Sequence, residues 1–151
     1  MKNFLIKFFA SGFGLGYAPV FPGTAGSLPG VLLFYLFRNE PRLYLAALAV
    51  LFTGVGIVVS TEAEKIFGKK DAPTIAIDEV AGQLITYLFV PYSLIHLIAG
   101  FVLFRLFDIL KIFPARWAQD NLPRGWGVVG DDVVAGVQAG VLLYLLSHFY
   151  T

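Results

Sequence analysis

Residues 75–110 read IAIDEVAGQLITYLFVPYSLIHLIAGFVLFRLFDIL, and the way this stretch folds decides the arrangement of the whole chain. Its central 25 residues, 80–104, contain no Asp, Glu, Lys or Arg. At 1.5 Å per residue a single helix of this length would be roughly 37 Å long, enough for one tilted membrane span. However, a Pro-Tyr-Ser sequence at 91–93 interrupts the stretch, and proline with a polar neighbour is typical of a turn. The preferred interpretation is a helical hairpin with arms at 75–90 and 94–110.

The distribution of basic residues favours the hairpin over the single span. In the hairpin, nine basic residues share one side of a membrane: Lys2, Lys7, Lys65, Lys69, Lys70, Arg105, Lys111, Arg116 and Arg124. Only Arg38 and Arg42 lie on the other side. Because short loops rich in Lys and Arg stay in the cytoplasm, this split predicts a cytoplasmic N-terminus. The arms are short for a hydrocarbon core of roughly 30 Å, which allows a re-entrant hairpin.

The composition of the chain predicts an integral membrane protein. Of its 151 residues, 58% are hydrophobic and 14% are charged, whereas about 25% of a soluble domain is charged. Three further uncharged stretches, 23–37, 43–60 and 133–150, suit helices in lipid. We therefore expect an all-α, multi-pass transmembrane helical bundle built as a single domain over residues 1–151. Within it, residues 1–10, where two lysines alternate with apolar residues, are predicted to form an interfacial helix.

Charge and cysteine content exclude several classes of function. The net charge is +1 and no basic stripe is present, which argues against nucleic acid as a partner. The chain has no cysteine, which excludes disulfides, thiolate zinc sites and a phosphatase with a cysteine nucleophile.

Half of the ten acidic residues lie next to apolar runs: Asp78, Glu79, Asp108, Asp131 and Asp132. The others lie in polar segments, where exposure to solvent explains them: Glu40, Glu62, Glu64, Asp71 and Asp120. A carboxylate at the centre of a bilayer costs on the order of 2.5–3.5 kcal/mol, so acids beside membrane segments need partners and mark functional sites. Simpler explanations stay open. Asp78 and Asp131 could each cap a helix, and Arg105 with Asp108 could form an isolated i, i+3 pair.

The five acids and two nearby cations, Arg105 and Lys111, predict a divalent-cation site if all of them face one pocket. The acids then exceed the cations by three charges. One Mg²⁺ leaves an excess negative charge, whereas two leave an excess positive charge, and only the positive field attracts a phosphate dianion. Oxygen ligands without His or Cys suit Mg²⁺, Mn²⁺ or Ca²⁺. We expect short or re-entrant helices around this carboxylate-rich site, with one or two Mg²⁺ ions.

A segment rich in glycine and proline precedes the first uncharged stretch. Residues 12–30 read GFGLGYAPVFPGTAGSLPG, and we expect an irregular active-site loop over residues 11–27. Thr24 and Ser27 lie where a helix should begin, so that free backbone N–H groups and two hydroxyls could bind an anion. The alternative is that one of these hydroxyls only caps the helix.

Four segments together resemble the phosphatidylglycerophosphatase A family, in the order that the family has them: GFGLGYAPVFPGTAGSL at 12–28, IDEVAGQLIT at 77–86, FRLFDILKIFPARW at 104–117 and GWGVVGDDVVAGV at 125–137. The resemblance implies a multi-pass enzyme of the bacterial inner membrane whose active site faces the cytoplasm. It would convert phosphatidylglycerophosphate to phosphatidylglycerol in an Mg²⁺-dependent reaction. Ile112 and Val129 depart from the family pattern, which commonly has proline and methionine there, and both changes are apolar.

The resemblance also implies roles in the metal-assisted hydrolysis of a phosphomonoester. The expected metal ligands are Asp78, Glu79, Asp131 and Asp132. Asp108 would ligate metal or orient the attacking water, and an aspartyl-phosphate intermediate stays open. The expected substrate contacts are Thr24, Ser27, Arg105 and Lys111. The main alternative is a small cation transporter or channel, whose acids would be spread across the depth of the membrane. A non-catalytic assembly subunit is a second alternative.

Overall fold

The computed structural model describes residues 1–149, which consist of helices joined by turns and loops and contain no β-strand. Seven α-helices follow one another in these residues: α1 Lys2–Ala10, α2 Pro22–Leu36, α3 Arg42–Phe67, α4 Ile77–Tyr87, α5 Leu94–Leu110, α6 Ala115–Asn121 and α7 Gly125–Ser147. The all-α prediction is confirmed. The end of the predicted stretch 133–150 lies outside the described residues.

The long apolar stretch forms two helices, as the hairpin interpretation predicts, and a single helix across it is wrong. α4 ends at Tyr87 and α5 begins at Leu94. Ser93 caps α5, because its hydroxyl oxygen accepts a hydrogen bond from the backbone N–H of His96 at 3.0 Å. The Tyr87 hydroxyl donates to the carbonyl oxygen of Leu97 at 2.7 Å, which ties the two arms together beside the turn.

Helix α4 is the centre of the fold, and ten of its eleven residues are buried. It packs against α2, α3, α5 and α7. The side chains of Val80, Leu84 and Tyr87 are fully buried, as expected for a helix that is surrounded by others. The same helix begins with two acids, Asp78 and Glu79, so the fold holds these carboxylates inside the protein.

Helices α4 and α7 cross at two glycines, Gly82 and Gly136. A Cβ atom on Gly136 would lie 3.1 Å from the Cα of Gly82, closer than carbon atoms in favourable contact. The Oγ1 hydroxyl of Thr86 donates to the carbonyl oxygen of Gly136 at 3.2 Å, directly across the crossing. Small residues allow two helix backbones to approach this closely. Each helix carries its acidic pair about one turn before its crossing glycine, so the crossing brings the two pairs together.

Helix α7 begins at Gly125, well before the uncharged stretch at 133–150 that predicted it. Asp131 and Asp132 therefore lie inside the helix and not ahead of it. A charge ends a run that suits lipid, but it does not end a helix when neighbouring helices bury that part of the chain. Here α4 and α6 both pack against α7.

The glycine-rich segment is irregular for only part of the predicted loop over 11–27. Gly14 has a φ of +92°, which suits glycine, but helix α2 already begins at Pro22. Proline is favoured at the first helical position, where no backbone N–H is needed. Thr24 and Ser27 consequently belong to the first turns of α2, where a helix was expected to begin, and the irregular segment ends before Pro22 and not at residue 27.

Two helices, α3 and α7, are long and apolar enough to cross a membrane. Large apolar side chains on the outside of the fold remain exposed, including Val50 of α3 at 74% and Ile95 of α5 at 75%. Exposed apolar surface of this kind suits contact with lipid, and it suggests membrane association. Helices α2 and α5 have 15 and 17 residues, fewer than the roughly 20 that a spanning helix needs. The multi-pass bundle and the interfacial position of α1 stay predictions.

Candidate active site

A cavity of about 340 Å³ lies where the starts of α2 and α4, the end of α5 and the second turn of α7 meet. The loop between α3 and α4 completes its wall. Its charged lining residues are Asp71, Asp78, Glu79, Arg105, Asp108, Lys111, Asp131 and Asp132. All five acids that the sequence places beside apolar runs, and both cations, are therefore in one place. The cavity therefore has six carboxyl groups and two cationic side chains, and its acids, when ionised, exceed its cations by four charges.

Asp78 and Glu79 occupy the first turn of α4 and are 6% and 9% exposed. The N-cap position belongs to Ala76, so the interpretation of Asp78 as a helix cap is wrong. The partial positive charge at the start of a helix stabilises carboxylates. Even so, Asp78 Oδ1 and Glu79 Oε2 are buried without a hydrogen-bond partner. Unpaired buried carboxylate oxygens are unfavourable, so both atoms are suited to a bound cation.

Asp131 and Asp132 are 3% and 2% exposed on α7, and their surroundings differ. Asp131 Oδ2 accepts a hydrogen bond from the ammonium of Lys111, and Asp131 Oδ1 accepts one from the backbone N–H of Asp132 at 3.0 Å. Asp132 Oδ2 is buried and has no hydrogen-bond partner. Arg124 holds the N-cap position of α7, so Asp131 is not a helix cap either. The protein itself neutralises Asp131, whereas Asp132 has an oxygen free for another cation.

Asp108 lies between the two cations of the cavity. Its Oδ2 is 2.8 Å from Arg105 Nη1, and its Oδ1 is 3.7 Å from Lys111 Nζ. Arg105 Nη1 is also 3.9 Å from Glu79 Oε1. The interpretation of Arg105 and Asp108 as an isolated helix pair is therefore wrong. They belong to a chain of charges that joins the end of α5 to α4 and α7.

Lys111 follows the last residue of α5 and is partly buried, with 25% of its side chain exposed. Burial disfavours the charged ammonium, but the carboxylates of Asp131, Asp132 and Asp108 outweigh burial and raise the pKa of Lys111 above its ordinary value. Lys111 is consequently a permanent positive charge in the cavity at neutral pH.

Two groups of three carboxylates are close enough to hold a metal ion. One group consists of Asp78, Glu79 and Asp132, and the other of Asp108, Asp131 and Asp132. Within each group the candidate ligand oxygens lie within 4.8 Å of one another, and Asp132 belongs to both groups. Carboxylate oxygens without His or Cys suit hard divalent cations such as Mg²⁺. Every residue of the first group also has a buried oxygen without a hydrogen-bond partner, so the donor set fits such an ion.

Neither of the two predicted hydroxyl ligands, Thr24 and Ser27, is part of the cavity lining. The Ser27 hydroxyl donates to the carbonyl oxygen of Gly23 at 3.0 Å and accepts from Arg105 Nη1 at 3.5 Å. Gly23 itself lines the cavity, and a Cβ atom there would lie 2.8 Å from Arg105 Nη2. Gly23 therefore lines the cavity with its backbone, since it has no side chain. Ser27 accepts a hydrogen bond from Arg105 and so helps to hold this arginine.

The chain matches known proteins over nearly its whole length. A family model described as phosphatidylglycerophosphatase A matches residues 8–147. The chain belongs to the phosphatidylglycerophosphatase A family. The resemblance of the four sequence segments to this family is confirmed.

Three bacterial proteins are similar to the chain over more than 90% of its length. Phosphatidylglycerophosphatase A of Escherichia coli strain K12 is 35% identical over 142 residues, which cover 93% of this chain and 83% of the relative. The Haemophilus influenzae protein of the same name is 33% identical over 147 residues, or 95% of this chain and 90% of the relative. A Bacteroides thetaiotaomicron protein with the provisional name phosphatidylinositol-3-phosphatase is 38% identical over 149 residues, or 93% and 92%. No solved structure is significantly similar to the chain.

Sequence reasoning missed one acidic residue of the cavity in this member of the phosphatidylglycerophosphatase A family. Asp71 lines the cavity, although its polar surroundings suggested an exposed surface acid. The start of α2, where free backbone N–H groups and two hydroxyls were expected, lines the cavity with Gly23 but with neither hydroxyl. A signal for Asp71 exists in the sequence, because it lies only seven residues before Asp78, in the connection that leads into α4.

Proposed function

We propose that this chain is a lipid phosphatase that hydrolyses phosphatidylglycerophosphate to phosphatidylglycerol and phosphate with the help of Mg²⁺. The observation that carries the proposal is the single cavity in which five buried or nearly buried carboxylates meet Arg105 and Lys111. The chain belongs to the phosphatidylglycerophosphatase A family, and two relatives of that name match it over most of its length. Both findings support the choice of substrate.

The carboxylates of Asp78, Glu79, Asp131 and Asp132 are the proposed metal ligands. Asp132 is common to the two carboxylate groups, which makes it the natural residue to serve two ions. When bound, Mg²⁺ would supply positive charge that polarises the phosphoryl group and activates water. The excess of carboxylates over cations in the cavity supports such an ion, because an anionic substrate could not otherwise approach.

The cationic side chains would bind the phosphate of the lipid. Arg105 can offer two N–H groups to two phosphate oxygens, and Lys111 adds a permanent point charge. Both cations contact Asp108 in the structure. A phosphate that takes over these contacts leaves the Asp108 carboxylate free to accept a hydrogen bond from the attacking water. Water then adds to phosphorus and gives a proton to Asp108, the bond between phosphorus and the glycerol oxygen breaks, and that oxygen takes up the proton from Asp108.

Of the two hydroxyls that were expected to bind substrate, only that of Ser27 has a role in this proposal, and the role is indirect. Ser27 holds Arg105 and the backbone of Gly23, so it positions the arginine without touching the lipid. Thr24 has no proposed contact with substrate, since it is not part of the cavity lining.

We further propose that the chain is a multi-pass protein of the bacterial inner membrane, with its active site facing the cytoplasm. Arg105 and Lys111 of the cavity belong to the nine basic residues that the hairpin topology puts on one side. The lipid would enter sideways, with its acyl chains remaining in the bilayer. A cation transporter is disfavoured because the acids converge in one cavity, whereas a transport path needs them at several depths.

A second candidate substrate is phosphatidylinositol 3-phosphate, which the name of the Bacteroides thetaiotaomicron relative suggests. Both lipids present a phosphomonoester, so the carboxylates and cations described here do not distinguish them. The two headgroups differ in what surrounds that phosphate, a glycerol in one and an inositol ring in the other.

The decisive experiment measures phosphate release by the purified full-length protein in detergent. Phosphatidylglycerophosphate and phosphatidylinositol 3-phosphate are supplied separately, each with Mg²⁺ and with EDTA, and Asp120→Asn serves as an active control. We expect release from phosphatidylglycerophosphate only with Mg²⁺. Preferential release from the inositol lipid would reassign the substrate, and full activity in EDTA would remove the metal from the mechanism. No release from either lipid under any condition would refute the phosphatase assignment.

A further inference from the structure

Asp71 lines the active-site cavity from a loop, whereas the other five acids of the cavity belong to helices. The loop connects α3 to α4, and Asp71 is partly exposed there. Asp71 was assigned to the solvated surface by its sequence context, and the roles proposed above do not use it. Its position against the buried carboxylates therefore calls for an explanation.

Two residues fix the position of Asp71, one of them seven residues earlier and the other 48 residues later in the chain. Glu64 Oε1, near the end of α3, accepts a hydrogen bond from the Asp71 backbone N–H at 2.8 Å. Gln119 Nε2, on α6, donates a hydrogen bond to Asp71 Oδ2. Lys70 Nζ donates to the Gln119 carbonyl oxygen at 3.1 Å, which ties the same loop to α6 a second time. Gln119 thus holds the carboxylate, while Glu64 and Lys70 hold the loop that carries it.

The backbone of Asp71 is in a conformation that side chains other than Asn and Asp rarely adopt. Its φ is +49°, in the left-handed region. Unfavourable backbone conformations persist only where the surrounding structure enforces them, and they are concentrated at functional sites. A loop that needed only a turn here could use glycine at no steric cost.

The charge of Asp71 has no counterpart in the described part of the chain. No Lys or Arg nitrogen among residues 1–149 lies within 4.0 Å of this carboxylate, and no hydrogen bond in these residues uses its Oδ1. Within the same cavity, Asp78 and Asp132 have buried oxygens without hydrogen-bond partners. A sixth anion at this cavity increases the repulsion among carboxylates unless a cation is bound.

We propose that Asp71 is a sixth acidic residue of the active site, whose carboxylate faces the water shell of the divalent cation held by the buried acids. This inference rests on the proposed function. Mg²⁺ usually keeps several of its waters when it binds to a protein, so a carboxylate at the open side of the site can accept hydrogen bonds from them. Such outer groups commonly contribute 10- to 100-fold to metal affinity. Asp71 is in this sense a positioning residue, since it acts through the ion's waters.

The competing explanation is that Asp71 only latches its loop to α6 through Gln119. A latch needs a hydrogen-bond acceptor but no charge, and asparagine provides one. Asparagine also tolerates the left-handed backbone. Asp71→Asn therefore keeps the latch and removes the charge, whereas Gln119→Ala removes the latch and keeps the charge. The two variants separate the two explanations.

The test measures Mn²⁺ binding to the full-length protein in detergent without substrate, by the loss of the free-Mn²⁺ electron paramagnetic resonance signal. We expect Asp71→Asn to weaken Mn²⁺ binding by about 10-fold. We expect Gln119→Ala to weaken it by less than about threefold, and the exposed acid variant Asp120→Asn to leave it unchanged. If Asp71→Asn does not fold, Asp71→Gly replaces it, because glycine accepts the left-handed backbone without strain.

Two results would overturn the inference. Mn²⁺ affinity of Asp71→Asn within twofold of the unaltered protein would show that the charge is not used. An equal loss in Gln119→Ala would assign the effect to the position of the loop. Failure of the proposed function looks different, because the unaltered protein would then release no phosphate from phosphatidylglycerophosphate. If the unaltered protein releases phosphate and the Asp71→Asn variant binds Mn²⁺ normally, only the role of Asp71 is refuted.

Discussion

Substituting Gly26 with alanine should impair the active site by displacing helix α2 from α4. A Cβ atom on Gly26 would lie 2.7 Å from the Cβ of Ala76 and 2.7 Å from Glu79 Oε2. Carbon atoms in favourable contact are about 3.5–4.0 Å apart, so the two helices must separate by about 1 Å. The carbonyl oxygen of Ala76, at 3.1 Å, prevents relief by a change of side-chain rotamer alone. Glu79 would move away from the other proposed metal ligands.

The expected size of this effect follows from that displacement. Overpacking a well-packed core typically costs about 1–3 kcal/mol of unfolding free energy. A misplacement of about 1 Å at a catalytic site can cost about 100-fold in rate. We therefore expect Gly26→Ala to lower phosphate release from phosphatidylglycerophosphate by about 10- to 100-fold and to lower the thermal unfolding temperature in detergent.

The matched control is Gly54→Ala on helix α3, where a Cβ atom would meet nothing within 4 Å. Alanine is favoured over glycine inside a helix by about 0.8–1.0 kcal/mol, so this variant should be at least as stable as the unaltered protein and fully active. Activity of Gly26→Ala within twofold of the Gly54→Ala control would refute the argument that close α2–α4 packing positions Glu79.

Three further predictions concern the metal and the substrate contacts. Asp132→Asn should reduce turnover on the order of 100-fold, because Asp132 belongs to both carboxylate groups, and turnover within threefold of normal would contradict that assignment. Mg²⁺ at about 100 times its dissociation constant should stabilise the fold by about 2.7 kcal/mol, measured as a rise in unfolding temperature that EDTA reverses; an unchanged temperature would count against a resident ion. Thr24→Ala should retain activity within about twofold, because Thr24 is not part of the cavity lining, and a tenfold loss would restore it as a substrate contact.

The sequence was most informative where local chemistry alone determines structure. The sequence Pro91-Tyr92-Ser93 in a long apolar stretch predicted the break between α4 and α5, because proline and serine suit a turn whatever surrounds them. The acids beside apolar runs were informative for a similar reason. Their burial is costly in any fold, so their presence in such surroundings predicted that they would need partners.

The remaining features depend on which face of each helix meets which neighbour, and the sequence does not encode that locally. Thr24 and Gly23 are adjacent in the chain, yet only Gly23 lines the cavity. Asp71 follows two lysines, which is typical of a solvated loop, but Glu64 and Gln119 fix it at the cavity. The start of α7 was misplaced because uncharged length predicts what lipid tolerates, whereas the first two turns of this helix are largely buried inside the protein.

The crossing of α4 and α7 at Gly82 and Gly136 has a mechanical consequence for the site. The contact is the point at which the two helices are closest, and each acidic pair lies about one helical turn before it. A methyl group on Gly82 or Gly136 would push the helices apart and so separate the two acidic pairs. A substitution within one acidic pair would leave the other pair in place. The spacing between the two acidic pairs is thus set by a contact that includes no charged atom.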